Sequence, residues 1–98
     1  MPPIHIVAEM RFKSGQKMAL SDALENLVKG SRAEKGNISY DLLESLDNPD
    51  HLFVIEVWES EQAIAEHNQM PHFKEFKNLA ADKLDENRVT LLKKYPSV

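Results

Sequence analysis

Cysteine is absent from the 98 residues, which excludes disulfides, thiolate metal sites and cysteine nucleophiles. Long apolar runs are missing too: no stretch approaches the ~18 residues that a membrane span needs. The opening residues Met1-Pro2-Pro3-Ile4-His5-Ile6 lack the basic region and apolar run of a secretion signal. A cytoplasmic chain with no membrane partner is therefore expected. Positive charge is scarce and unclustered. The net charge of −4 comes from scattered carboxylates with no block of lysines and arginines, so a nucleic-acid partner is not expected.

What is present suits an ordinary globular chain, with 42% hydrophobic and 29% charged residues. The length fits a single domain over residues 1–98, near the small end of the range that folds unaided. A chain this short buries only ~60–65% of its unfolded surface, so a second copy covering more would help.

Ile4 to Phe12 alternate as a strand, with Ile4, Ile6, Ala8, Met10 and Phe12 on one face and His5, Val7, Glu9 and Arg11 on the other. From Gln16 to Lys35 the period becomes helical, with Leu20, Ala23, Leu24, Leu27, Val28 and Ser31 in one stripe. Gly36 follows as the helix terminator, free to adopt positive φ. Two strands come next, 38–45 and 52–58, joined by the turn-forming Asp47-Asn48-Pro49-Asp50. The second of them is apolar on both faces except at Glu56, so both faces should be covered.

Ser60 caps a short helix, Pro71 starts another, and residues 88–95 form the last strand. The order strand, helix, strand, strand, helix, strand is the ferredoxin-like split βαβ arrangement. The expected fold is α+β: a four-stranded antiparallel sheet with helices on one face. The open face then asks for a second copy of the chain. An RNA-recognition module shares this order, but 52–58 carries neither the glycine nor the basic residues it needs.

Glu34-Lys35-Gly36-Asn37-Ile38-Ser39-Tyr40 resembles the helix-to-strand junction of the antibiotic-biosynthesis monooxygenase family. Glu56-Val57-Trp58-Glu59-Ser60, followed by Ala63, His67, Pro71, His72 and Phe73, resembles that family's third strand and second helical region. The resemblance implies a homodimer built as a dimeric α/β barrel, with a pocket between sheet and helices in each subunit. It also implies a range of activities: cofactor-free oxidation of quinols and aromatic polyketides, isomerisation of a phosphorylated signal, and haem breakdown. Haem breakdown is not expected here. Met10 stands where those members carry asparagine, and Lys77 where they carry their haem-ligating histidine.

Oxygenation with no cofactor requires a substrate that itself reduces oxygen, and a quinol does so once deprotonated. Histidine is the side chain suited to removing that proton near neutral pH. His67 shares its helix face with Ala63 and Ile64, and His72 lies one turn before Phe76, so both are candidate catalytic residues. The competing reading is a packed core histidine and a helix-capping one. Tyr40, Met10, Ile55, Trp58 and Phe76 are the candidate lining for an aromatic substrate. No metal site is expected from the two histidines: five residues along one helix rotate them roughly 140° apart, and even where Pro71 alters that geometry no Asp or Glu lies at a helical spacing on the inward face to complete a triad. His5 and His51, at strand starts, read as surface residues. Glu56 is placed on the open face of the sheet, paired with Arg11 across the dimer interface.

The leading function is a cofactor-independent monooxygenase acting on an aromatic small molecule with molecular oxygen. Alternatives are an isomerase in the same pocket and a non-catalytic binding or stress protein.

Overall fold

The computed structural model describes residues 2–96. Strand β1 runs Ile4–Phe12, helix α1 Ser21–Ala33, β2 Asn37–Glu44, β3 His51–Trp58, α2 Glu61–His67, α3 Pro71–Ala80 and β4 Leu84–Leu92. The sheet order is β2-β3-β1-β4, and each neighbouring pair is antiparallel. This is the expected ferredoxin-like arrangement, with the helical layer on one face.

Local chemistry accounts for the boundaries. A 3-10 turn at Lys17–Leu20 leads into α1, so the regular helix is shorter than its apolar stripe. Ser60 caps α2 by accepting a hydrogen bond from the Ala63 backbone N–H at 3.1 Å. Pro71 occupies the first turn of α3, where its missing N–H costs nothing. The chain turns at Lys83, whose N–H reaches the Ala80 carbonyl. Leu84 therefore opens β4 beside Phe12 instead of extending α3, and the strand starts four residues earlier than its pattern suggests.

Gly36 is needed for space and not for positive φ. Among the described residues only Gly15 has positive φ, and a Cβ on Gly36 would collide with the Ala63 side chain.

The core lies between helices and sheet. Leu24 and Leu27 of α1, Ala63 of α2 and Phe76 of α3 pack on Ile6, Met10, Tyr40, Leu52, Val54 and Trp58. Each large apolar side chain buried this way contributes ~1.5–3 kcal/mol.

The register corrects one face assignment. Residues directly opposite in an antiparallel pair share a face. Ile6 pairs with Glu56, Ala8 with Val54 and Met10 with Leu52, so 52, 54, 56 and 58 lie under the helices. Phe53, Ile55 and Val57 occupy the open face with Val7, Glu9 and Arg11, the reverse of the expectation. Ile55 is thereby removed from the pocket. Ile38, at a register irregularity in β2, is 53% exposed. His51 is buried rather than superficial, its ring centroid 4.4 Å from that of Phe53.

The expected Glu56–Arg11 ion pair is not formed within the chain. Arg11 sits opposite His51, and its guanidinium lies 3.5 Å from Glu86 of β4. Glu56 lies on the other side of the sheet.

Candidate active site

Three segments far apart in sequence meet at one carboxylate. Helix α1 ends at Ala33, and Glu34 turns to extended backbone, φ −70° and ψ 136°. Its side chain continues the buried stripe that runs through Leu27 and Ser31. Helix α2 closes on His67. The chain then breaks, with Met70 extended, and α3 restarts at Pro71. The break overturns the single-helix geometry that set the histidines apart: His67 and His72 turn toward each other, with ring centroids 6.0 Å apart.

Both rings bond to Glu34. His67 Nδ1 is 2.6 Å from Glu34 Oε2, and His72 Nε2 is 2.8 Å from the same oxygen. The Glu34 and His67 side chains are almost fully buried, at 6% and 4% exposure. An ionised carboxylate only accepts, so each nitrogen facing it carries a proton. That assignment leaves Nε2 of His67 with a free lone pair. Burial holds the His67 pKa below the usual 6.5, opposed by its hydrogen bond to Glu34.

His72 has room because of Gly30. A Cβ at Gly30 would lie 2.6 Å from His72 Cγ, inside the ring's own space. His67 in turn lies against Trp58, with centroids 4.5 Å apart, and edge-on to Phe73 at 4.9 Å.

A cavity of about 410 Å³ opens between this layer and the β1–β4 side of the sheet. Met10, Tyr40, His67 and Phe76 line it, as the sequence suggests. Ile55, Trp58 and His72 do not line it. Trp58 is fully buried beneath His67, and His72 stands behind Glu34. Ile64, Phe73 and Leu27 add apolar wall, and Lys77 lies along it with its ammonium 5.7 Å from the Phe73 ring centre.

Glu56 also lines this cavity. Its Oε1 accepts from Trp58 Nε1 at 2.8 Å. Burial pushes its pKa up to about 7, with the Trp58 bond opposing and the Glu34 charge adding. Tyr40, its cross-strand partner, is held in the phenol form, raised first by burial and then by the Glu56 charge.

Two site residues thus escape the sequence reading. Glu34 enters there only as the first residue of the helix-to-strand junction, with no role of its own. Glu56 was visible as the single charge in a doubly apolar strand, but on the wrong face.

The Glu34, His67 and His72 donor atoms all lie within 4.8 Å of one another, the side-chain types of a divalent-metal set. Their 2.6 and 2.8 Å contacts are hydrogen-bond lengths, and Glu34 supplies the carboxylate that the sequence reading did not place beside the two histidines. A wider groove of about 600 Å³ lies between α1 and β2. Its cations Lys17, Lys29 and Arg32 are engaged by Glu44, Glu25 and Asp41, so it offers less chemistry.

Residues 3–79 match the family model described as "Antibiotic biosynthesis monooxygenase". "Putative monooxygenase YcnE" of Bacillus subtilis is 33% identical over 92 residues, covering 90% of this chain and 97% of its own length. "Putative monooxygenase Rv0793" of Mycobacterium tuberculosis is 34% identical, over 72% of this chain and 69% of its own. The Rv0793 structure superposes with a TM-score of 0.87 at 30% identity, covering 95% of each chain. PA3566 from Pseudomonas aeruginosa does so at 0.91 and 27% identity, covering 97% of this chain and 96% of its own. The helix-to-strand junction at Glu34, the Glu56–Trp58 strand and the His67–His72 helices all lie inside the matched span, and the chain belongs to the antibiotic biosynthesis monooxygenase family.

Proposed function

We propose that this chain is a cofactor-independent monooxygenase that oxidises a quinol or related aromatic molecule, with His67 removing a hydroxyl proton. One observation carries the reading: His67 Nδ1 lies 2.6 Å from Glu34 Oε2 on a ring that lines a largely apolar cavity, and in this reading Nδ1 donates to the carboxylate and leaves Nε2 to accept. A quinol reduces oxygen far more readily as its anion, so deprotonation near neutral pH is what the protein must supply. The lowered pKa keeps His67 neutral and able to accept. Glu34 fixes the tautomer and stabilises the imidazolium that forms, as a buried carboxylate does in a catalytic triad.

The proton passes from the substrate hydroxyl to Nε2. The anion gives one electron to oxygen, and recombination of the aryl radical with superoxide makes a carbon–oxygen bond. The His67 imidazolium returns its proton to the peroxide, and loss of water then yields a hydroxyquinone. One oxygen atom enters the product, the other leaves as water, and the substrate supplies all four electrons.

The active form in this proposal is a homodimer. Val7, Phe53, Ile55 and Val57 leave an apolar strip on the sheet face that the chain's own helices do not cover. A second copy is the simplest cover. An isomerase reading is favoured by one feature, the presence of both His67 and Glu56 as proton carriers on one cavity.

Oxygen uptake with a panel of quinols in metal-free buffer tests the assignment. Wild type should exceed the protein-free rate, and His67→Ala should lose ~10²-fold or more. Uptake at the protein-free rate for every quinol would overturn it, and turnover without oxygen would favour the isomerase.

A further inference from the structure

We propose that Glu56 is a second substrate anchor, so that the cavity selects an aromatic ring bearing two hydroxyl groups, one for His67 and one for Glu56. The inference rests on the reading of the cavity as the substrate site and adds the residue that holds the second hydroxyl.

Glu56 Oε1 is occupied by the Trp58 indole N–H. Oε2 has no hydrogen-bond partner among the described residues, and Glu56 belongs to the cavity wall. A carboxylate 6% exposed is costly unless something satisfies it. No cation does so here. The charged or titratable groups that face the cavity or act on Glu56 are Tyr40 from β2, Glu34 after α1, His67 from α2 and Lys77 from α3. Tyr40 stays a neutral phenol, Glu34 repels, and Lys77 is an exposed residue lying over Phe73. From β1 and β4 the cavity receives Ile6, Ala8 and Asn87, among others, none of them charged.

A hydroxyl donor on the ligand completes the site. Glu56 and the His67 Nε2 lone pair are both acceptors, which calls for a ligand with two O–H donors. The rest of the wall is mostly apolar, and about 410 Å³ falls in the range of small-molecule sites. A hydrogen bond to an ionised carboxylate outweighs one to its neutral form. Binding of such a ligand therefore draws Glu56 into its charged form and strengthens as pH rises through the neutral range.

Trp58 is the only tryptophan of the chain and touches Glu56, so its emission reports occupancy without any turnover. Under argon, the full chain is titrated with hydroquinone and with 4-methoxyphenol, the same ring with one hydroxyl methylated, at pH 6 and pH 8. Hydroquinone should bind ~10-fold or more tightly, as expected for one hydrogen bond to a charged group. The preference should grow from pH 6 to pH 8. Glu56→Gln keeps an acceptor for Trp58, so its melting curve and emission maximum should match a folded chain, while the pH dependence disappears. Equal affinity for the two ligands, no binding of either, or a pH-dependent preference surviving in Glu56→Gln overturns the proposal. Hydroquinone that binds selectively without consuming oxygen would sink the monooxygenase reading alone. Oxygen uptake without selectivity would sink only the second anchor.

Discussion

His67 Nδ1 lies 2.6 Å from Glu34 Oε2, although 33 residues separate the two in the chain. The bond ties the end of α2 to the exit of α1. It also holds the imidazole at the cavity wall, so the fold and the proposed proton transfer depend on the same contact.

That coupling can be separated by mutation. Glu34→Gln keeps a hydrogen-bond acceptor for His67 but removes the charge that stabilises its imidazolium. We expect kcat/KM for the oxidised quinol to fall by ~10²-fold or more, the usual worth of a positioned base. Urea midpoints should move much less than the rate does. An equal loss of rate and stability in His67→Ala and Glu34→Gln would assign the pair to structure alone.

Gly30→Ala tests the support behind the site. Its Cβ would lie 2.6 Å from His72 Cγ, so the ring must move or the α1–α3 packing must open. Overpacking of this kind costs ~1–3 kcal/mol. Urea denaturation should show the loss, and the His72 imidazole resonances should shift. An unchanged urea midpoint would show that His72 has room to spare.

Stability should fall as pH rises through the range set by Glu56. Its pKa is raised in the folded state from 4.5 to about 7. Its contribution is therefore fully present below pH 4.5 and is lost as pH rises through 7. By linkage the span corresponds to about 3 kcal/mol. His67 acts in the opposite sense: its lowered pKa adds stability above pH 6.5 that is lost toward acid. The difference between wild type and Glu56→Gln isolates the first effect. In thermal melts from pH 4 to pH 8, wild type should lose ground to the variant as pH rises.

The dimer proposal turns on the open face. Ile55 is half-buried there, between Val7 of β1 and Asp41 of β2. Wild type should sediment at twice the 11.2 kDa chain mass. Ile55→Lys places a charge in the proposed contact and should give the single-chain mass without disturbing the cavity on the far side. A wild-type chain that sediments only at 11.2 kDa at micromolar concentration would remove the dimer from the model of function.

Much of the fold was legible in the residues because strand and helix patterns are local. Alternation marks Ile4–Phe12, a helical stripe marks α1, and Ser60 and Pro71 mark helix starts, each through bonds or steric limits within a few residues. Local patterns also put His67 on an inward helix face. They were silent where two segments had to be placed against each other. A strand apolar on both sides does not say which side faces the helices. The pairing of Ile6 with Glu56 decided that, and with it the exchange of Ile55 for Glu56 in the cavity. The break between α2 and α3 turned two histidines together that a continuous helix would have held apart. Glu34 reaches them from 33 and 38 residues away, so its role exists only once α1 has packed beside α3. Sequence determined which side chains were available for the chemistry, and tertiary packing decided which of them meet, because hydrogen bonds form between neighbours in space.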